Sequence, residues 1–211
     1  RICIQVTSTN SARKTAINLV RDIVKKRQDS GLDYKISVSY RPSSFSDIKK
    51  LFELGVDRIG IALDAATKNI YEKTKSGQDT WANTLELLQI SSTYFPGKIT
   101  THLIVGLGET EKDLVDIMYH INTFGITIGL FAFTPIKGTP MEHFPQPQID
   151  TYRRVQIARY LITKDYATNK DFSYTDERIT DIHLNPSILG MLADNSLPFE
   201  TSGCPDCNRP Y

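Results

Sequence analysis

Several residues have types and spacings that could do chemistry. Asp64 directly follows the apolar run at 58–63. A carboxylate there can accept two hydrogen bonds from vicinal ribose hydroxyls, and it can equally cap a turn over Ala65-Ala66-Thr67. Gly106-x-Gly108 ends another apolar run. Glycines at that point let a backbone approach a ligand closely, or simply make a tight turn into a helix. Thr110-x-x-Asp113 then supplies a capping box, with Glu109 orienting the loop or capping the helix. Pro135-Ile-Lys-Gly-Thr-Pro140 is a turn stiffened by two prolines. Such a turn can present Ile136 and Lys137 backbone groups to a flat base, or serve as a plain loop. Cys204-Pro-Asp-Cys207 is a two-cysteine knuckle that can hold zinc or part of an iron–sulfur cluster. Two thiolates do not fill such a site, so further cysteines, His183 or a partner chain would complete it; a free dithiol or an incidental turn is the alternative.

These residues need elements to position them, and the chain supplies one unit repeatedly: a short apolar run, then an amphipathic helical stretch. Strands are predicted at 2–7, 34–40, 58–63, 101–105 and 126–133, and helices at 11–26, 45–54, 80–93, 111–124 and 149–166. Strand–helix alternation implies a parallel sheet, because parallel neighbours need a crossover. The strands read as near-continuously apolar, as when helices cover a sheet. Five cycles are too few for a closed eight-stranded barrel, so an open sheet or partial barrel is expected. Cys3, on the first strand, is expected to be buried as a small apolar residue. From Asp171 onward the chain is polar and rich in Asn, Pro and Asp, and reads as an irregular extension lying across one face. The division expected is a core at 1–166 and an extension at 167–211 carrying the cysteine knuckle.

In α/β sheets the ligand sits at the carboxyl ends of the strands. That rim collects Thr7-Ser8-Thr9-Asn10, Ser39-Tyr40-Arg41, Asp64, the Gly106–Glu109 loop and the 134–140 turn. Hydroxyls, charges and glycines from every strand suit a small polar ligand with a ribose-like part and a charged end.

Composition narrows the classes. The chain has 211 residues, with 25 Lys and Arg against 24 Asp and Glu. A net charge of +1 argues against a polyanion binder, so no nucleic acid is expected as partner. No apolar run approaches the ~18–20 residues of a membrane span. Three cysteines do not make a disulfide framework and suit a reducing cytosol, so a cytoplasmic location is expected. The chain opens on Arg1 inside a strand-like run and closes at Tyr211 just past the knuckle, and both ends read as cut from a longer protein.

The segment ending Leu63-Asp64, then Thr101-His-Leu-Ile-Val-Gly-Leu-Gly-Glu-Thr110, then Phe133-Thr-Pro-Ile-Lys-Gly-Thr-Pro-Met141, resembles the core of the radical S-adenosylmethionine (SAM) enzymes, on their biotin synthase and lipoyl synthase branch. The resemblance covers about residues 1–165. The tail Cys204-Pro-Asp-Cys-Asn-Arg-Pro-Tyr211 resembles that of archaeal biotin-synthase-related proteins, some of which act as a two-subunit lipoyl synthase.

The resemblance implies a partial (βα)6 TIM-type barrel that binds SAM and a [4Fe–4S] cluster. The family's Gly-x-Ile-x-Gly-x-x-Glu motif falls on His102-Leu-Ile104-Val-Gly106-Leu-Gly-Glu109, with His102 in place of the first glycine. It assigns Ile104 to adenine packing, Gly106 to making room for the base, Asp64 to the ribose, Thr7 and Ser8 to the methionine amino group, and Ile136 and Lys137 to the adenine edge. The family's Cys-x-x-x-Cys-x-x-Cys motif is absent from these residues, and the cluster ligands are expected before Arg1. The implied reaction is generation of a 5′-deoxyadenosyl radical, hydrogen abstraction and sulfur insertion, lipoyl synthase-like. The alternatives are biotin synthase-like insertion into dethiobiotin, a non-catalytic nucleotide-binding (βα) module, and a phosphate-binding partial TIM-type enzyme. Cys204 and Cys207 would ligate an auxiliary iron–sulfur cluster or a small structural metal. The implied partners are a small-molecule substrate or an octanoyl chain on a lipoyl domain, a second radical SAM subunit and a reductant protein, with no membrane partner.

Overall fold

The computed structural model describes all residues except 8, 76–78, 194, 201–202 and 204–211. Ser8, Cys204 and Cys207 therefore lie outside the described residues.

Five strands, β1 (Ile2–Gln5), β2 (Ile36–Ser39), β3 (Arg58–Gly60), β4 (Ile99–Val105) and β5 (Thr127–Ala132), form one parallel sheet in the order β1-β2-β3-β4-β5. Spatial order equals chain order, as in a singly wound partial barrel. The connecting helices are α1 (Asn10–Ser30), α2 (Phe45–Glu53), α3 (Lys68–Thr74), α4 (Trp81–Tyr94) and α5 (Glu111–Asn122); α6 (Ile149–Thr163) follows β5.

Local chemistry sets these ends. The Thr9 hydroxyl accepts from the Ala12 amide and starts α1, which Gly31 ends in the left-handed region at φ 66°. Thr67 and Thr80 cap α3 and α4 in the same way. Thr110 and Asp113 form the reciprocal capping box that starts α5. The short helix α3 does not stand out in the sequence, because seven residues carry too few turns to show a period.

The strands alternate rather than running continuously apolar. Ile4, Val38, Ile59 and Ile99 are register partners on the face packed against the helices, and all are buried. Gln5, Ser39, Gly60, Thr100 and Thr127 are register partners on the other face. Alternation also corrects the expectation for Cys3. It pairs with Ser37 on the polar face of an edge strand and is exposed, while Ile4 next to it is buried.

The C-terminal extension is more regular than its composition suggests. The strands β6 (Phe172–Thr175) and β7 (Arg178–Ile182) form an antiparallel hairpin, and α7 (Pro186–Ala193) follows. The turn places Asp176 and Glu177 at positive φ, 48° and 62°. A turn of that type is usually written with Asn or Gly, so its signal was hidden. The hairpin docks on α5: the buried Glu111 carboxylate accepts from the Ile179 amide at 2.9 Å and from the Arg154 guanidinium at 2.6–3.1 Å. Among the described residues no helix is long and apolar enough to cross a membrane.

Candidate functional site

The carboxyl rim centres on Asp64. Its amide donates to the His102 carbonyl at 2.8 Å, and its carbonyl accepts from the Ile104 amide at 2.8 Å. Asp64 is thus tied to β4 on both sides, in a left-handed conformation at φ 62°. A non-glycine residue held there is strained, and only surrounding bonds keep it so. One further bond comes from the buried Thr101 hydroxyl, which accepts from the Leu63 amide at 3.1 Å. The side chain of Asp64 forms an ion pair with Lys75, the residue just past α3. Lys75 also donates to the Ala62 carbonyl at 3.4 Å and lies 5.7 Å from the centre of the Tyr71 ring. The sequence did not single out Lys75, because nothing local brings a residue eleven positions downstream back to the carboxylate.

Lys75 is also one wall of a cavity of about 440 Å³, whose other walls include Phe133, Thr134, Ile136 and Met141. Lys75 and Ile136 thus line one space, and Asp64 is linked to it through its ion pair with Lys75. Ile104 is half-buried on the strand beside Asp64, register-paired with Phe131.

The neighbouring rim holds a second polar group. Arg41 pairs with Asp79 at 2.7 Å and donates to the Tyr71 hydroxyl at 3.5 Å, and that hydroxyl bonds Thr84 at 2.9 Å. Arg13 bonds Ser43 and lies 6.0 Å from the Tyr40 ring. Burial, with Asp47 close by, pushes the Tyr40 phenol up to about 12. Tyr40 is a neutral hydrogen-bonding group there at physiological pH.

The glycine loop is built differently from expectation. Gly106 has φ 104°, and a Cβ there would stand 2.9 Å from Pro147 Cδ and 3.3 Å from Phe133 Cβ. The space that its missing side chain leaves is taken by Pro147 and Phe133 rather than left for a base. Gly108, at φ 107°, faces open space. Glu109 holds the loop: its carboxylate accepts from the Gly106 amide at 2.6 Å and the Leu107 amide at 3.0 Å. Burial nevertheless raises its pKa, outweighing those amides.

Ile136 and Lys137 are both exposed. The Ile136 carbonyl accepts from the Thr139 hydroxyl at 2.7 Å and the Thr139 amide at 3.2 Å, so the turn uses that acceptor itself. Thr7 is exposed at the end of β1. Two strand positions separate β1 from β3, roughly 10 Å at ordinary strand spacing, so Thr7 does not join the Asp64 group.

The Asp64 side of the rim offers a half-buried carboxylate acceptor with the apolar Ile104 on the neighbouring strand, and its partner Lys75 lines the cavity. An iron–sulfur cluster finds no ligand set here. Among the described residues no three His, Cys, Asp or Glu side chains are grouped so as to hold a metal.

Comparison with known proteins bears on the family and the fold. A family model described as Radical SAM superfamily matches residues 1–121. The chain is 28% identical over 187 residues to a biotin synthase of Aquifex aeolicus, covering 87% of this chain and 54% of that protein. It is 23% identical over 141 residues to a lipoyl synthase of Marinobacter nauticus, covering 64% and 40%. The chain thus spans about half the length of the curated relatives it matches. Among solved structures it resembles HydG, a maturase of the [FeFe]-hydrogenase, with TM-score 0.63 and 12% identity over 76% of this chain and 38% of that one. That likeness shows the fold.

Proposed function

Because this chain belongs to the radical SAM superfamily, we propose that its carboxyl rim binds SAM and that the protein carries out C–H activation with sulfur insertion, as a radical SAM sulfurtransferase. The observation that carries the reading is the placement of Asp64. Backbone bonds to β4 on both sides hold it next to Ile104 on the sheet and paired with Lys75, where a strained residue would not otherwise persist.

In this reading the Asp64 carboxylate accepts from the two ribose hydroxyls while its ion pair with Lys75 holds it in place. Ile104 covers one face of the adenine, and the 133–141 turn closes the cavity over the other, excluding water. Bound SAM, with a reduced [4Fe–4S] cluster, supplies a carbon-centred radical that can take hydrogen from an unactivated carbon. The chain's own part is to bind, orient and shield. The cluster ligands belong to the family's Cys-x-x-x-Cys-x-x-Cys motif, which these 211 residues do not contain. Cys204 and Cys207 are proposed as ligands of an auxiliary cluster or small metal site.

The lipoyl reading takes an octanoyl chain on a carrier lysine, with a second radical SAM subunit; the biotin reading takes free dethiobiotin. Both use an electron-donating protein, and a cytoplasmic location goes with both. The test is anaerobic reconstitution of the full-length protein with iron and sulfide, followed by reduction in the presence of SAM. Formation of 5′-deoxyadenosine and methionine is expected; intact SAM after reduction of a fully loaded protein refutes the reading.

A further inference from the structure

Several surface helices of this fold pair their own charges, and α1 does not. Lys49 pairs with Glu53 on α2, Lys68 with Glu72 on α3, Lys112 with Asp116 on α5 and Arg154 with Asp150 on α6, each four residues apart. In α1 six cations stand against two carboxylates, in a chain whose net charge is +1. Two of the six are used within the fold: Arg27 pairs with Asp57, and Arg13 bonds Ser43. Among the described residues, Lys14, Arg21, Lys25 and Lys26 form no ion pair, although Asp22 lies one turn from Lys25 and Lys26.

Three of these cations form a stripe. Lys14, Arg21 and Lys25 stand at i, i+7 and i+11 with Asn18 at i+4, so they share one side of the helix. All four residues are exposed, and Arg21 bonds the Asn18 side chain at 3.1 Å. The stripe starts about one turn below the carboxyl rim, where Thr9 caps α1, and runs about 16 Å down the helix. Helix stability does not account for it. Cations favour a helix C-terminus and disfavour the N-terminus. Lys25 and Lys26 fit that rule, but α1 has no acid in its first turn and sets Arg13 and Lys14 close behind its cap. Core packing does not account for it either, since Ala16, Val20 and Val24, on another side, make the buried contacts.

An unpaired cationic stripe is complementary to an anionic surface. Insertion into a membrane needs a free apolar side, and the apolar side of α1 is buried. Nucleic-acid binding draws on many phosphate contacts, and three cations in a chain of net charge +1 release few counterions. A permanent subunit interface buries an apolar core and is poor in lysine, whereas Leu19 is the one large apolar side chain that α1 exposes among the described residues. A brief, salt-sensitive encounter with an acidic protein face fits the stripe, and electron-transfer complexes are of that small, weak kind.

We propose that the Lys14–Arg21–Lys25 stripe docks the acidic face of the protein that delivers the electron for SAM cleavage. The inference rests on the proposed reaction for the donor's task; docking itself is measurable without SAM. In each productive encounter the donor is oxidised by one electron, and the sulfonium of SAM, reduced by one, splits into methionine and a carbon-centred radical. The stripe speeds the encounter and orients the donor.

The experiment uses the full-length protein, reconstituted anaerobically, with flavodoxin as the acidic one-electron donor and dithionite as a donor that needs no docking. Surface plasmon resonance should show flavodoxin binding that weakens several-fold between low and physiological salt. Lys14→Glu/Arg21→Glu/Lys25→Glu should weaken it about tenfold or more, mostly through a slower association rate. Lys14→Arg/Lys25→Arg keeps the charge and should bind like the unaltered protein. Lys164→Glu/Lys170→Glu, beyond β5 at the other edge of the sheet, should change it by less than about twofold. With flavodoxin limiting, 5′-deoxyadenosine formation by the triple variant should fall about tenfold, while the dithionite-driven rate stays within about twofold. Melting curves identify any variant that fails to fold, and Lys14→Gln/Arg21→Gln/Lys25→Gln then serves in its place.

No binding of flavodoxin by the unaltered protein overturns the proposal. Binding indifferent to the stripe, or weakened as much by the Lys164 and Lys170 control, overturns it too. So does tighter binding of a single-stranded RNA oligonucleotide, or of phosphatidylserine–phosphatidylcholine vesicles, that the triple variant loses. If dithionite yields no 5′-deoxyadenosine from the unaltered protein, the cofactor reading fails instead, and the flavodoxin titration alone decides the docking face.

Discussion

The carboxylate of Asp64 is ion-paired with Lys75, and both side chains are about one-fifth exposed, at 20% and 18%. A pair at that depth is shielded from bulk water without losing contact with the cavity Lys75 lines. A carboxylate has about four lone-pair sites, so it can hold Lys75 and accept from ribose hydroxyls together.

Lys75 therefore acts as a positioning residue for Asp64. Lys75→Met should weaken SAM binding several-fold and Asp64→Asn more than tenfold, while the double variant should lose little beyond Asp64→Asn. Calorimetry on the four proteins closes the cycle. Additive losses would mean that the two side chains serve the ligand independently.

Gly106 and Gly108 differ in kind although both have positive φ. Gly106→Ala adds a clash with Pro147 to the backbone strain, and should cost about 2–4 kcal/mol. Gly108→Ala carries the strain alone and should cost about 1 kcal/mol. Urea unfolding of both variants measures the difference; equal losses would contradict the packing of Pro147 on Gly106.

Much of this was legible in the sequence, and what was not has physical reasons. All five sheet strands and their connecting helices except the short α3 follow from short apolar runs, Gly31 and the Thr110–Asp113 box. The alternation Ile-Cys-Ile-Gln and Ile-Ser-Val-Ser was written in the residues, yet small polar side chains between β-branched ones pass easily for a continuous run. The exposure of Cys3 and the polar inner wall both follow from that alternation. The Lys75–Asp64 pair and the contact of Pro147 with Gly106 are long-range and leave no local period. The hairpin at β6 and β7 was hidden by a turn made of Asp176 and Glu177.

The hairpin hangs on one buried carboxylate. Glu111 takes both the Arg154 fork and the Ile179 amide, and Glu111 holds the Arg154 guanidinium above its ordinary range. Removing one partner of a buried pair strands the other, so Glu111→Ala should destabilise by about 3–5 kcal/mol. Limited proteolysis should then cut first near residues 176–177. Unchanged stability and an uncut hairpin would contradict that anchoring role.

Glu109 gives a pH signature. Burial raises its folded pKa, so the protonated form is the one favoured by folding. The sign follows: its contribution is fully present below the unfolded value and is lost as pH rises through the folded one. The stability of the unaltered protein relative to Glu109→Gln should therefore fall as pH rises from about 4 toward neutrality. Urea midpoints across that range measure it, and a rise would contradict the dominance of burial over the two amide bonds.

The central claim is that Asp64 and Ile104 together receive the sugar and base of SAM. Calorimetric titration of SAM into the full-length Asp64→Ala/Ile104→Glu double variant, shown folded by its melting curve, tests it most directly. Loss of SAM binding is the predicted result. Uptake of SAM at the unaltered affinity would contradict the account.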